Sequence, residues 1–251
     1  MRKNIYQKFY DIEETNWWFK GMHDLLLDLI SANLKFHVKS KLLDIGCGTG
    51  LWPKYLSRFG NVYCLDNSRE AIKFCAARNL NKLIVGQAEE LPYKDECFDF
   101  VSAIGVVEHL DDDQLLLREI NRILKPGGYM VLLTSAFDFL WSAHDDLVHH
   151  KKRYRKKTIE TLLIQAELES LKISYVNSIL FPGIAGIRII QKLINWIPAK
   201  NDVTKIFTVS EFLNNLLFKI LRLESSLLKH MCFPFGVGIV ALAQKKIVSS
   251  G

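Results

Sequence analysis

Several things are scarce in this chain of 251 residues, and each scarcity removes a class of protein. Its five cysteines, Cys47, Cys64, Cys75, Cys97 and Cys232, are odd in number, scattered and without CxxC spacing. A disulfide framework and a zinc ribbon are therefore excluded in favour of reduced thiols in a core. There is no internal repeat and no low-complexity tract. The N-terminus, MRKNIYQKFYDIEETNWWF, lacks the apolar run of a signal peptide. The most apolar stretch, ILFPGIAGIRIIQKLINWI, is interrupted by Arg188, Lys192, two glycines and prolines near its ends, and falls short of a membrane span. Cytoplasmic residence is the default expectation. The net charge of +6 is small and concentrated in one segment, so it disfavours nucleic acid as the partner.

What is present is ordinary globular composition, 49% hydrophobic and 24% charged, in a chain long enough for a substantial core. Residues 1–35 read as helical, with Trp17, Trp18 and Phe19 at the joint between two pieces. After Lys41 short apolar runs alternate with amphipathic helices. KLLDI, NVYCLD, KLIVG, FDFVSAI and YMVLLT are strand candidates, with helices near 50–59, 68–79 and 112–124 between them. Pro126-Gly127-Gly128 is expected to end the third of these helices. TIETLLIQAEL reads as a further helix with Thr158 as its N-cap, followed by LKISYVNSIL and FGVGIVALAQKK as sixth and seventh strands. Strands of this kind separated by helices imply an α/β, doubly wound, mostly parallel sheet with its ligand beyond the strands' carboxyl ends. The fifty or so residues between the last two strands exceed what a connection needs. They read as a late helical cap over 181–232, with helices near 183–197 and 210–229. The expected organisation is one domain: an N-terminal helical lid (1–35), a ligand-binding core (41–135), an acceptor-side loop (136–157) and the cap.

The most informative stretch is LLDIGCGTG, residues 42–50, an apolar strand running into Gly46-Cys47-Gly48-Thr49-Gly50. Glycines there permit a sharp turn and close approach of backbone to ligand. The spacing is G-x-G-x-G; a dinucleotide fingerprint would need a glycine where Leu51 stands. Asp66 ends the second strand, where a carboxylate can accept hydrogen bonds from both ribose hydroxyls.

With these residues the chain resembles the class I S-adenosylmethionine (SAM) methyltransferases of the type 11 group. Residues 42–50 match that family's first motif and Asp66 its second. GQAEELPY, GVVEHLDDD and NRILKPGGYMVLLT match the segments that follow, so the resemblance runs in order from about 41 to 135. It implies a Rossmann-like fold, SAM as cofactor and S-adenosylhomocysteine as product. It implies that Gly46, Gly48 and Gly50 pack along SAM, Asp44 orients its amino-acid end, Asp66 binds the ribose, and Gln87 and Ala88 meet the adenine. The family often has an aspartate where Gln87 stands; an amide still offers donors and an acceptor.

The resemblance fixes the donor and leaves the acceptor open. SAM carries its own electrophile, so a general base is required only if the acceptor must lose a proton. His109, after the fourth strand, is a candidate base or a pocket wall, and Glu108 a candidate brace. In related quinone-pathway enzymes a carboxylate, two spacers and Glu-His hold a metal. Gly105 stands in the carboxylate's place, and no metal is expected.

WSAHDDLVHHKKRYRKK, residues 141–157, follows the fifth strand and is the acceptor-side segment. His144 and His149 are further candidate bases, and on a helix Asp145 would pair with His149 and Asp146 with His150. Trp18, His150, Arg153 and Tyr154 are candidates for substrate binding, the last two for an anionic group. A solvated loop is the bland reading of the basic run. The cap's Phe181, Trp196, Phe207, Phe212 and Phe218 would pack on the sheet, line an apolar pocket, or rest on a membrane surface beside Arg188, Lys192 and Lys219. The expected activity is methyl transfer to a small-molecule or lipid-like acceptor at oxygen. The alternatives are a non-catalytic SAM-binding partner and a nicotinamide-dependent oxidoreductase; the oligomeric state is left open.

Overall fold

The computed structural model describes residues 3–193 and 209–247. Two helices open the chain, α1 (Lys3–Ile12) and α2 (Trp17–Asn33). Asn16 caps α2 by accepting a hydrogen bond from the Trp18 amide. The core then alternates β1 (Lys41–Ile45), α3 (Leu51–Leu56), β2 (Asn61–Asp66), α4 (Arg69–Ala77), β3 (Leu83–Val85) and β4 (Phe98–Ile104). A 3-10 turn (Val107–His109), α5 (Asp113–Ile123) and β5 (Leu124–Ser135) follow. A second 3-10 turn (Asp138–Leu140), α6 (Ala143–Val148), α7 (Lys156–Gln165) and β6 (Leu168–Val176) lead to the cap helices α8 (Phe181–Leu193) and α9 (Glu211–Leu228), and β7 (Gly238–Lys245) closes the sheet.

The seven strands lie in the order β3-β2-β1-β4-β5-β7-β6. β7 runs antiparallel to both neighbours; the other pairings are parallel. The chain order reverses between β1 and β4, so the crevice at their carboxyl ends is where a doubly wound sheet binds its ligand. Two apolar layers cover the sheet. One includes Leu43, Val101, Met130 and Leu163; the other includes Leu25, Leu42, Phe100 and Val131. Adjacent strand residues go to opposite layers, as the pleat requires.

Three expectations about local structure are corrected. Helix α5 stops at Ile123, before Pro126-Gly127-Gly128, because Leu124 already pairs with Phe98 in the sheet. The proline and glycines fall in a register shift that realigns Tyr129 with Phe100. Thr158 is inside α7, whose N-cap is Arg155, and β6 begins at Leu168 with a register shift between Ser170 and Lys172. The expected cap helices correspond to α8 and α9; Trp196 and Phe207 lie outside the described residues.

The cap packs against the N-terminal helices. A Cβ on Gly21 of α2 would lie 2.5 Å from Leu221 Cδ1 of α9, so this glycine sets the interhelical distance. Asn214 accepts from the Trp17 amide (2.9 Å), and Asp28 accepts from Ser225 Oγ (2.7 Å) and Arg222 (3.0 Å). Lid and cap, distant in sequence, form one helical layer at this seam.

Candidate active site

β1 ends in a loop where Gly46, Gly48 and Gly50 all have positive φ (70°, 52° and 84°). A side chain on Gly46 would collide with Val106 Cγ2 at 2.5 Å, and one on Gly50 would crowd Cys75 at 3.0 Å. Gly48 is different: a Cβ there meets nothing nearer than 3.9 Å, and one on Gly105 at the end of β4 (φ 66°) meets nothing within 4 Å. Bare backbone therefore borders open space at the switch point, the cradle that a close-approaching ligand requires.

Two buried carboxylates flank it. Asp66 Oδ2 accepts from the Gly48 amide (2.9 Å) and Oδ1 from the Ser68 amide (2.8 Å). A carboxylate has about four acceptor positions, so each oxygen retains one for a ribose hydroxyl. Burial raises the Asp66 pKa against these two backbone bonds. Asp44 Oδ1 accepts from Ser102 Oγ (2.6 Å), Ser102 Oγ in turn accepts from Trp52 Nε1 (3.1 Å), and His23 stacks on Trp52 at 5.7 Å. Burial raises the Asp44 pKa strongly. Ala88 is buried and Gln87 exposed on the far side of β2, after β3.

The chain entering α2 closes over the same loop. Glu13 Oε2 accepts from Thr49 Oγ1 (2.5 Å), and Glu13 Oε1 pairs with Arg78 (2.7 Å) in a buried ion pair. Arg78 Nε donates to the Thr49 carbonyl (3.0 Å), and the guanidinium lies over the Tyr10 ring at 4.2 Å. Tyr6 of α1 is buried beside Phe74, and burial followed by the charge of Asp66 pushes its pKa up to about 12. Sequence reasoning missed Tyr6, Glu13 and Arg78. Their sole signal was a pair of acidic residues just before the WWF cluster.

On the other side of the crevice the loop after β5 leaves and returns at one point. The Tyr154 amide donates to the Ser135 carbonyl, and the Phe137 amide to the Tyr154 carbonyl, both at 2.9 Å. Helix α6 inside this loop ends at Val148 because His149 takes a left-handed conformation (φ 63°). The expected helical pairings of Asp145 with His149 and Asp146 with His150 therefore do not form. Asp145 pairs instead with His150, whose Nδ1–H donates to Oδ1 at 2.8 Å, and Asp146 accepts from Trp141 Nε1.

His109, His144 and His150 converge here. The His109 and His150 ring centres are 4.8 Å apart, and His144 lies 6.0 Å from His150. His150 Nε2 lies 3.9 Å from Glu108 Oε1. Glu108 is buried and accepts from Thr134 Oγ1 (2.8 Å), tying the turn after β4 to β5. His109 Nδ1 lies 3.3 Å from the His149 carbonyl. A carbonyl can only accept, so the proton is on Nδ1 and the lone pair of the neutral ring is on Nε2. Burial lowers the His109 pKa and takes His144 down to about 4, so both rings are neutral at pH 7. The His149 ring is exposed; its carbonyl is what reaches the cluster.

Arg153 and Tyr154 do not present themselves to an anionic acceptor, because the protein already uses both. Arg153 donates through two nitrogens to Asp145 and through a third to the Ala136 carbonyl. Tyr154 is buried, with its hydroxyl against Asp113 (3.0 Å) and the Val107 carbonyl (3.1 Å). Trp18 is half-buried, edge-on to Phe19 at 5.2 Å, at the margin of the core layer under α2. Among the described residues no group of three or more His, Cys, Asp or Glu side chains is arranged to hold a metal ion.

A glycine cradle at the switch point, with Asp44 next to the end of β1 and Asp66 at the end of β2, is the arrangement of a nucleoside-binding domain of the doubly wound class. The family described as "Methyltransferase domain" matches residues 43–132. An uncharacterized protein of Methanocaldococcus jannaschii is 31% identical over 154 residues, 61% of this chain and 72% of that protein. Norajmaline N-methyltransferase of Rauvolfia serpentina is 33% identical over 179 residues, 64% of this chain and 61% of that enzyme. The fold is shared with a putative methyltransferase of Bacillus halodurans, at a TM-score of 0.59 and 19% identity, covering 89% of this chain and 99% of the other. The chain belongs to the class I SAM-dependent methyltransferases. The residues present are compatible with the cofactor of that family: the backbone at Gly48 and Gly105 is open on one side, and the buried carboxylates Asp44 and Asp66 offer acceptors beside the loop.

Proposed function

We propose that this protein methylates a small-molecule or lipid-like acceptor at a hydroxyl oxygen, with His109 receiving the acceptor's proton. The observation that carries this reading is the 3.3 Å contact of His109 Nδ1 with the His149 carbonyl. That carbonyl accepts the Nδ1 proton, which leaves the opposite ring nitrogen as the proton acceptor.

When bound, SAM supplies a methyl group on a sulfonium, an electrophile that demands an in-line acceptor and a dry site. Gly46, Gly48 and Gly50 would carry its backbone contacts, Asp66 its ribose and Asp44 its amino-acid end. His109 takes the acceptor's proton on Nε2, giving an imidazolium. Two groups favour that charged form: the His149 carbonyl on Nδ1 and the carboxylate of Glu108. Asp145 holds His150 against the same ring, and Arg153 holds Asp145. A small-molecule acceptor agrees with the name of the Rauvolfia serpentina relative, norajmaline N-methyltransferase, which gives nitrogen as that enzyme's acceptor atom. A lipid-like one agrees with the aromatic side chains beside the site: Phe137 stacks on Tyr175 at 4.9 Å and meets Phe181 at 5.9 Å.

The test is transfer of labelled methyl from SAM to lipid and small-molecule fractions, with His109→Gln and His109→Ala compared with the parent. Loss of a general base costs about 10²- to 10⁴-fold in turnover, and SAM affinity by calorimetry should change less than about twofold, since the ring lies on the acceptor side. Undiminished turnover in both variants would remove His109 from the chemistry and point to an acceptor already ionised, such as a carboxylate.

A further inference from the structure

The two cap helices carry an apolar surface that the fold does not use. Of the residues in α8, Ala185 alone is buried. Ile187, Ile190 and Leu193 recur every third residue on its outer side at 56%, 57% and 77% exposure. In α9 one face packs on α2 through Leu221, Ser225 and Leu228. Phe212, Leu216, Leu223 and Leu227 recur at helical spacing on another face, all exposed, with Phe212 at 79%. Soluble monomers seldom expose apolar surface in such stripes without a partner.

Charge selects the partner. Helix α8 contains no acidic residue and carries Arg188 and Lys192. In α9 the acidic residues are Glu211 at its start and Glu224, which is fully buried. The exposed Lys219 falls beside the apolar stripe at 100° per residue. A second copy of this chain seated on these stripes would bring Lys192 and Lys219 together, with Glu211 at the start of α9 the one exposed carboxylate among the described residues of the two helices. An anionic lipid surface satisfies both features, taking apolar side chains into its acyl boundary and lysines among its headgroups. Position agrees with this. Phe181, the first residue of α8, contacts Phe139 (6.2 Å) and Phe235 (5.3 Å), which are 40% and 43% exposed, and also Phe137 at the acceptor-side loop. An aromatic tract thus runs from the exposed cap to the site. None of the described helices is long and apolar enough to cross a membrane.

We propose that α8 and α9 seat this protein on anionic membranes. The aromatic tract is then the route by which a lipid-like acceptor reaches the histidines; that clause rests on the function proposed above, and the docking does not.

The experiment is sedimentation of the full chain with vesicles of phosphatidylcholine alone or with about one quarter phosphatidylglycerol, without acceptor or turnover. It is done at about 0.1 M and about 1 M salt, across which the screening length falls from about 10 Å to about 3 Å. The expected result is partition onto the anionic vesicles, weaker on neutral ones and in high salt. Burial of one large aliphatic side chain is worth a factor of about ten or more in partition. Ile190→Glu and Leu216→Glu, both on exposed faces, should therefore each reduce binding by about tenfold or more while SAM affinity, measured by calorimetry, stays that of the parent. Lys192→Glu with Lys219→Glu should erase the preference for anionic lipid. Failure of the parent to sediment with any vesicle, or equal sedimentation of parent and glutamate variants, overturns the proposal. So does a parent dimer at micromolar concentration that Ile190→Glu or Leu216→Glu converts to monomer, because the stripes would then be a contact between copies. Methyl transfer that fails while sedimentation succeeds would count against the proposed function and not against docking.

Discussion

Replacing Asp145 by asparagine should damage the acceptor side of the site far more than so small a change suggests. The carboxylate is fully buried, and every group around it is a donor. Oδ1 receives His150 Nδ1–H (2.8 Å) and Arg153 Nε–H (2.9 Å). Oδ2 receives a second Arg153 nitrogen (2.9 Å), the Ser142 amide (2.8 Å) and Ser142 Oγ (3.0 Å). An amide has one oxygen, so its NH₂ must face donors on one side, and the buried Arg153 loses its counter-charge. Breaking one partner of a buried pair costs about 3–5 kcal/mol. In a chain of this size that lowers the melting temperature by roughly 6–20 °C, at about 2–4 °C per kcal/mol. Burial by itself would raise the Asp145 pKa; the bonds from His150 and Arg153 outweigh it and hold the group well below the usual carboxylate range. Its folded pKa is thus depressed, so its contribution is present above the unfolded value near 4 and is lost as pH falls below that. The gap between parent and Asp145→Asn in urea unfolding should be constant from about pH 8 to about pH 5 and narrow in stronger acid. Asp145→Leu with Arg153→Met, which removes both charges, should recover much of the loss. A single-variant loss under about 1 kcal/mol would show that the network is not a closed buried pair and would refute the reasoning.

Three further outcomes are expected. Asp66→Ala should weaken SAM binding by about two orders of magnitude in calorimetry, the worth of two charge-assisted hydrogen bonds; unchanged affinity would remove the ribose assignment. His23 is buried with its Nδ1 unpartnered, and burial takes its pKa from 6.5 to about 4, so the unfolded state binds a proton first and stability falls as pH drops from about 6.5 to about 4, by about 3 kcal/mol. His23→Phe should flatten that slope in urea titrations, and a slope identical to the parent's would place the effect elsewhere. Gly21→Ala should cost about 1–3 kcal/mol by forcing α2 away from Leu221, and a thermal melt equal to the parent's would mean that the α2–α9 seam yields freely.

The donor half of the site was legible in the sequence for a physical reason. Backbone held at positive φ in a crowded turn demands glycine, and the resemblance assigns the ribose to the strand end where the structure has the buried carboxylate of Asp66. Residue type therefore reports geometry at Gly46, Gly48, Gly50 and Asp66. The strands were legible for a similar reason, since burial on both faces forces continuous apolar runs. The beginning of β5 was not, because Pro126-Gly127-Gly128 is a stop signal in isolation and a register shift in a sheet where Leu124 has already found Phe98. The acceptor half follows no such rule. The histidines, Asp145 and Arg153 were visible as residue types, but their pairing turns on a single left-handed residue, His149, which ends α6 early and swings His150 onto Asp145. A non-glycine residue in that conformation costs about 1 kcal/mol or more. The same residue's carbonyl lies 3.3 Å from His109 Nδ1. Glu13 on Thr49 and Gly21 against Leu221 were illegible for a different reason: each joins segments far apart in the chain, and nothing local marks the partner. Those two contacts fasten the turn before α2 to the glycine loop and α2 itself to the cap. Any displacement of the cap from the acceptor side must therefore either carry α2 with it or break the seam at Gly21.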